Sequence, residues 1–268
     1  VYITLASFLG FILIALITMK LMSDSNLMDF ATENGFEFTA EDQADAASFL
    51  TITIADFVSN LLFSGGLMAC FSGIFCAIST CDDFSTGFGK NIFSYYPDRR
   101  YYIISKIATH CAINAMFILG LTFASILLFK LMGFPNSLGD PLKMALMLLV
   151  GWIALIPLVA QNMLFCMLFR NAAVASILSI LCGLGMAAGT LESIAGLFGV
   201  HVAQFFPPYL VMMSATISGS NSTNAFLSFA VGQNGLGTNL LLSLFTSLLW
   251  TVFYIWISGK VLSKKDMC

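Results

Sequence analysis

Reactive side chains are few in this sequence and stand apart from one another. The two histidines, His110 and His201, have no carboxylate cluster beside them, and Glu192 stands alone. Metal sites and membrane proteases need several such groups at close spacing. The seven cysteines form no C-x-x-C pair, and an odd number without close spacing argues against a disulfide framework. The sequence therefore predicts no catalytic residue, no metal and no cofactor bound by this chain.

No nucleotide-binding motif is present either. The string nearest to a P-loop is Gly87-Phe88-Gly89-Lys90-Asn91, which lacks the first glycine at the required offset and the Ser or Thr after the lysine. Without them there is no backbone cradle for phosphate and no hydroxyl for Mg²⁺. The chain is predicted not to be an enzyme, so any ATP and Mg²⁺ would be bound by a partner.

The composition of the chain indicates the class of protein, and so the kind of element that positions these residues. Of 268 residues, 59% are hydrophobic and 9% are charged, and the mean hydropathy is +0.92. Soluble domains have about 25% charged residues, so this chain cannot cover itself with a polar surface. The composition excludes a soluble enzyme, a disordered chain and a nucleic-acid binder. It predicts an all-α polytopic membrane protein.

Six apolar runs are long enough to cross a bilayer, which takes about 20 residues. The predicted spans are about 1–21, 49–80, 101–130, 142–169, 172–190 and 239–260. Gly65-Gly66 is expected to bend or break the second span, and Pro157 to kink the fourth. The predicted connections are an outer acidic loop 22–48, a cytoplasmic segment 81–100 and an outer segment 191–238, in which 194–206 is expected to be re-entrant or interfacial.

Basic residues set the predicted orientation. Eight of the eleven lie in the connection between spans 2 and 3, in the turn between spans 4 and 5, or in the C-terminal tail. The other three are Lys20, Lys130 and Lys143. Because Lys and Arg concentrate on the cytoplasmic side, both chain termini are predicted to be cytoplasmic.

The connection between spans 2 and 3 is longer than a minimal turn. Asp82, Asp83 and Ser85 are residues that often start helices, so a short helix is expected to begin there. Aromatic and aliphatic residues follow at helical spacing, which would give that helix one apolar face for docking. The alternative is an interfacial helix that only seals the inner surface.

This connection resembles the one in permeases of the ABC-2 family, the membrane subunits of ATP-binding cassette transporters. The family pattern has an acidic-aromatic start, a glycine, a Lys-Asn pair, a proline, an arginine and a terminal Ser-Lys. The residues in those places are Asp83, Gly87, Lys90-Asn91, Pro97, Arg99 or Arg100, and Ser105-Lys106. The six-span layout and the short turn at Arg170-Asn171 extend the resemblance to the whole chain. Family members begin with an amphipathic helix before span 1, so further N-terminal sequence is expected here.

The resemblance implies a type V exporter-like ABC-2 permease in a bacterial plasma membrane. Two six-span chains, identical or different, would pair, and each would dock on an ATP-binding cassette ATPase subunit that holds ATP and Mg²⁺. ATP hydrolysis there would drive export of an amphipathic or peptide-like substrate, as in the group that exports bacteriocins and antimicrobial peptides or confers immunity to them. The expected partners are these subunits and lipid, with no nucleic acid.

Two sets of site residues follow from this resemblance. The residues expected to dock the ATPase subunit are Asp83, Phe84, Gly87, Phe88, Lys90, Asn91, Phe93, Arg99, Arg100 and Arg170. The residues expected at the dimer seam or transport path are Cys182, Gly185 and Gly189. Gly185 and Gly189 form a small-x-x-x-small pattern, which suits close helix approach between chains or, equally, within one chain.

Two other functions fit parts of the sequence. Loop 22–48 has seven acidic residues and no basic residue, which would attract a cationic peptide and suit a non-transporting immunity or sensor protein. The same acids would also simply keep the loop solvated. Asp56, in the predicted second span, would suit an ion-coupled carrier, or would be a carboxylate reached by water at the membrane surface.

Overall fold

The computed structural model describes most of the chain from residue 51 onward and a few residues before it. The described residues are 9–10, 12–14, 16–17, 20, 51–87, 100–134, 136–199, 202, 205–218 and 240–264. Most of the predicted first span and the acidic loop 22–48 therefore lie outside the described residues. Within the described part the chain is all-helical, without a β-strand.

Eight α-helices are numbered here in chain order. They are α1 Ile54–Ser59, α2 Leu67–Ser85, α3 Arg100–Leu131, α4 Pro141–Phe169, α5 Ala172–Gly183, α6 Met186–Gly196, α7 Pro207–Ala215 and α8 Leu240–Lys264. A π-helix, Asn60–Ser64, continues α1, and a 3-10 turn, Thr216–Ser218, follows α7.

Four of these helices are long and apolar enough to cross a bilayer, namely α2, α3, α4 and the Leu244–Leu262 part of α8. Helices α5 and α6 meet at an angle of 47° and together make a fifth candidate, either a broken span or a re-entrant loop. These counts apply to the described residues. They agree with a multi-pass membrane protein, and the predicted total of six remains a prediction.

The predicted second span is broken where its glycines stand. Gly66 has a φ of 67°, in the left-handed region that favours glycine, and it separates the π-helix from α2. The segment preceding it, 54–64, is too short to cross by itself. The span therefore runs from Leu67 to Ser85, later than the predicted 49–80, because the break divides the apolar run into two helices.

Helix α4 is the centre of the fold, with α2, α3, α5, α7 and α8 packed around it. Asp140 caps its start, accepting a hydrogen bond from the Leu142 amide at 3.0 Å, and Pro141 occupies the first turn. Near its middle Gly151 leaves room for the ring of Phe63, which is fully buried. Any side chain in place of Gly151 would overlap with the Phe63 ring.

A short buried helix, α7, was not predicted from the sequence. The segment before it, 194–206, was expected to be a re-entrant or interfacial helix; α6 ends within that segment at Gly196, and part of the rest lies outside the described residues, so this stays a prediction. Proline is well suited to the first turn of a helix, and Pro207-Pro208 start α7 in this way. All of α7 except Met213 is buried, against α4 and the π-helix. Ser59 fixes its far end by donating to the Ala215 carbonyl oxygen at 2.9 Å.

The ends of the helices that carry most of the described basic residues lie together. Asp83 near the end of α2 contacts Tyr102 at the start of α3, and Arg100 lies against Gly259 in α8. The turn from α4 to α5, which contains Arg170, is at the same end, beside Phe84. We call it the basic end.

Candidate functional site

Helix α2 continues further into the predicted docking segment than the sequence suggested. Asp82, Asp83 and Ser85 were expected to start a new helix, but they form the last turn of α2. The hydroxyl groups of Ser85 and Thr86 donate to the Asp82 carbonyl oxygen at 3.1 and 2.7 Å, which satisfies an acceptor at the end of the helix. The expectation of a new helix start here was wrong because these polar side chains satisfy a helix end equally well.

A charged and aromatic group, here called the Asp83 cluster, joins the end of α2 to the start of α3. Its members are Asp83, Phe84, Tyr102, Lys106 and Arg170. Lys106 Nζ lies 2.6 Å from Asp83 Oδ2, and the Tyr102 hydroxyl donates to the same oxygen at 2.8 Å. The Phe84 ring meets the Tyr102 ring edge to face, with centroids 6.3 Å apart. Both ends of the connection 88–99 are therefore fixed to each other.

Arg170 joins this cluster because of the tight turn between α4 and α5. It ends α4 with a φ of 51°, which is rare for a residue with a side chain. Asn171 then caps α5, its side-chain oxygen accepting from the amides of Ala173 and Val174. The predicted short turn is thus confirmed, and it brings the Arg170 guanidinium to 6.0 Å from the centre of the Phe84 ring.

The charged pair of the cluster is only partly open to water. The side chains of Lys106 and Asp83 are 23% and 15% exposed, so water screens the pair only in part. A carboxylate that accepts hydrogen bonds from both an ammonium and a phenol is held in place. The described surface of this end combines basic side chains with aromatic rings, and such a surface can dock an acidic or aromatic partner.

The predicted docking residues are brought together as far as they are described. Asp83, Phe84 and Arg170 belong to the cluster, Arg100 begins α3 beside α8, and Gly87 lies just past the end of α2. The other docking candidates lie outside the described residues, and their role stays a prediction. They are Phe88, Lys90, Asn91, Phe93 and Arg99.

The second predicted set does not share one helix face. Gly185 has a φ of 74° and marks the bend between α5 and α6. It caps the start of α6, where its carbonyl oxygen accepts from the Gly189 amide at 2.8 Å, so the bend separates Cys182 in α5 from the two glycines. A Cβ at Gly189 would lie 3.8 Å from the Tyr209 hydroxyl oxygen in the same chain. Cys182 lies half-buried near the end of α5. Close approach within the chain is made instead by Gly183, whose Cβ would lie 3.2 Å from the Ala69 backbone.

Asp56, the residue on which the ion-coupled carrier alternative depends, lies in the first turn of α1 and contacts the residue that caps this helix. Thr53 caps α1, and its hydroxyl accepts from the Asp56 amide at 3.1 Å and donates to Asp56 Oδ2 at 2.7 Å. The Thr53 side chain is thus an N-cap that also binds the Asp56 carboxylate, and an acidic side chain in the first turn is stabilised by the helix dipole. The short helix that holds Asp56 is not among the candidate spans.

Sequence analysis missed two polar contacts inside the membrane-spanning part. Ser79 Oγ lies 3.0 Å from His110 Nε2, and Asn114 donates to Ser72 Oγ at 2.7 Å. The signal was present in the sequence, because Lys106, His110 and Asn114 recur every four residues and so share one face of α3. Their partners on α2 are serines, whose significance appears only when the two helices are side by side.

Another buried carboxylate lies at the far end from the Asp83 cluster. Glu192 in α6 is 7% exposed and accepts from the Val202 amide at 2.8 Å. Its charge adds to the effect of burial on Tyr209, and together they raise the pKa of that phenol to about 12. The described residues contain no group of three or more His, Cys, Asp or Glu side chains that could hold a metal ion.

Comparisons with protein-family models, with curated proteins and with solved structures give no match.

Proposed function

We propose that this chain is the permease subunit of an ATP-binding cassette transporter of the ABC-2 type, with its basic end in the cytoplasm. It exports an amphipathic or peptide-like substrate, and a separate ATPase subunit supplies the energy. The observation that carries the proposal is the Asp83 cluster, which fixes both ends of the connection 88–99 beside Arg170.

The helix that leaves this cluster is suited to transmit movement. Helix α2 runs without a break from Ser85 back to Leu67, a length of about 28 Å at 1.5 Å per residue. That is close to the thickness of the hydrocarbon core. A partner that displaces the Ser85 end therefore displaces a rigid rod that reaches across the membrane, as in other rigid-body transitions.

The charges at the basic end support docking of a protein there. Arg100, Lys106 and Arg170 are described basic residues at this end, and Lys106 is paired with Asp83. Arginine next to an aromatic ring is a frequent anchor at protein interfaces. Anionic lipid headgroups would also gather at such a surface, which holds the chain at the level where the partner binds.

Capture of the ATPase subunit tests the proposal. The chain is co-expressed with a tagged ATP-binding cassette subunit encoded beside it, and the captured permease is quantified. Phe88→Asp places a charge on the proposed docking face, so capture is expected to fall at least tenfold. The matched control is Leu138→Asp, an exposed apolar residue (40%) in the α3–α4 loop, away from the basic end. Undiminished capture of the Phe88→Asp variant would refute docking through this segment.

Activity without the motor gives an independent check. The purified chain in vesicles, with no ATPase subunit present, is expected to move no candidate cationic peptide, with or without ATP. Transport under those conditions would contradict the proposal and favour an ion-coupled carrier. The immunity or sensor alternative depends on loop 22–48, outside the described residues, and stays a prediction from sequence.

A further inference from the structure

Helices α2 and α3 are joined by a series of polar contacts, here called the polar ladder. Its three rungs are Asp83–Lys106, Ser79–His110 and Ser72–Asn114. Near the second rung, Lys106 Nζ also donates a hydrogen bond to the Ser79 carbonyl oxygen, at 3.5 Å. The helices run antiparallel, so the rungs follow one another in order from the basic end towards the opposite end.

The ladder extends deep into the hydrophobic part of the protein. From Asp83 to Ser72 is eleven residues along α2, or about 16 Å, more than half of the helix. The innermost rung is buried, since Asn114 and Ser72 are only 2% and 1% exposed, whereas in the second rung His110 is buried and Ser79 is partly exposed. A buried hydrogen bond has little competition from water, and each rung joins the two helices at one register.

A neighbouring face of α2 is built differently. It meets α5 through small residues, where the backbones at Ala69 and Cys70 come within 3.3 Å of a Cβ placed on Gly183. Ser179 lies in this contact, but its hydroxyl donates to Ala175 of its own helix at 2.7 Å. Helix α2 therefore contacts α3 through cross-helix polar pairs and α5 through close backbone packing.

We propose that the polar ladder makes α2 and α3 one mechanical body, so that displacing the Asp83 cluster moves the two helices together. His110 and Asn114 are positioning residues in this scheme: they keep α3 in register with α2 and bind no substrate. The joint body is a property of this chain alone, while its role in transport rests on the proposed function.

The joint body is tested with the purified chain in lipid nanodiscs. Spin labels on unnatural amino acids replace Ile78 in α2 and Ile104 in α3, which are 48% and 51% exposed, and pulsed spectroscopy gives the distribution of distances. One variant combines Ser79→Ala with His110→Phe, and a second combines Ser72→Ala with Asn114→Leu. Both replace a whole rung by apolar groups, which keeps folding nearly unaffected because no polar group is left unpaired.

The expected result is a narrow distribution for the unaltered chain and at least a twofold broader one when both rungs are replaced. The control is Ser125→Ala, a buried serine of α3 whose hydroxyl donates to Leu121 of its own helix. This substitution also removes a buried serine hydroxyl, but it removes no hydrogen bond between helices. The distance distribution should therefore stay narrow. An unchanged width after loss of both rungs overturns the proposal, and if that variant fails to fold, the two single-rung variants decide it in the same way.

The complex with the ATPase subunit tests the role in transport. ATP should change the rate at which an impermeant maleimide labels the Leu131→Cys variant, whose new cysteine is at the far end of α3. The labelling of the native cysteines, measured in the chain without this substitution, is subtracted as background. Replacing both rungs should reduce this change at least fivefold while capture of the ATPase subunit stays normal. If the ATP-dependent change in labelling is undiminished, the proposed role of the joint body in transport is overturned. If the unaltered chain captures no ATPase subunit, the proposed function fails, and the distance distributions still decide the joint body.

Discussion

The contact between α2 and α5 at Gly73 gives the sharpest test of the packing. A Cβ built on Gly73 would lie 2.6 Å from Ser179 Cβ and 2.9 Å from Asn162 Nδ2, whereas ordinary contacts begin at 3.4 Å. Because Ser179 Cβ is fixed to its backbone, the helices must separate by roughly 1 Å, and such overpacking costs about 1–3 kcal/mol. Alanine also favours the helix over glycine by about 1 kcal/mol, which offsets part of this loss.

Gly120→Ala separates the two effects. Gly120 is also a helical glycine, in α3, but a Cβ there meets no atom within 4 Å. The Gly120→Ala variant gains the helix propensity of alanine without a steric clash. The Gly73→Ala variant should therefore have a free energy of unfolding about 1–3 kcal/mol lower than that of Gly120→Ala. The free energy of unfolding is measured for each variant in micelles by denaturant titration.

A second substitution identifies the atom responsible. Ser179→Gly removes the Cβ that the new methyl group would meet, so Gly73→Ala should cost less in that background, with a coupling of about 0.5–3 kcal/mol. Equal stability of Gly73→Ala and Gly120→Ala, together with zero coupling to Ser179→Gly, would show that α2 and α5 are not this close.

Three further outcomes are expected. Asp83→Asn weakens the contact with Lys106 and should cost on the order of 1 kcal/mol of unfolding free energy, with the loss shrinking at high salt. Gly151→Ala forces the buried Phe63 ring from its place and should cost about 1–3 kcal/mol, most of which Phe63→Leu recovers in the double variant. Burial raises the pKa of Tyr209 from 10.0 to about 12, so its contribution to stability holds below pH 10 and is lost as the pH rises towards 12. Tyr209→Phe should reduce the loss of stability in that interval and remove one late step from the ultraviolet titration of tyrosinate.

The fold class could be predicted from composition and the helices from apolar runs, since a bilayer accepts only long segments that satisfy their own backbone. Span 101–130 was predicted within a residue or two of α3, and 142–169 within one of α4. The break at Gly65-Gly66 was also foreseen, because only glycine adopts its backbone geometry without strain. The boundaries of the second span were poorest, because the glycine break moved its start to Leu67 and the polar residues from Asp82 onward continue the helix to Ser85.

The sequence alone determined that this chain is helical, apolar and basic at the ends of particular segments, because these properties depend on residue type and spacing. Only the tertiary structure decided which polar residues meet. Ser72 and Asn114 are 42 positions apart, and nothing local distinguishes them from other polar residues of apolar helices. Their contact depends on the rotation and register of two antiparallel helices, which the packing of the whole bundle around α4 sets. The bend at Gly185 is of the same kind, since glycine permits the backbone angle but only the structure shows the direction of α6, whose Ala188 packs against Tyr209 of α7.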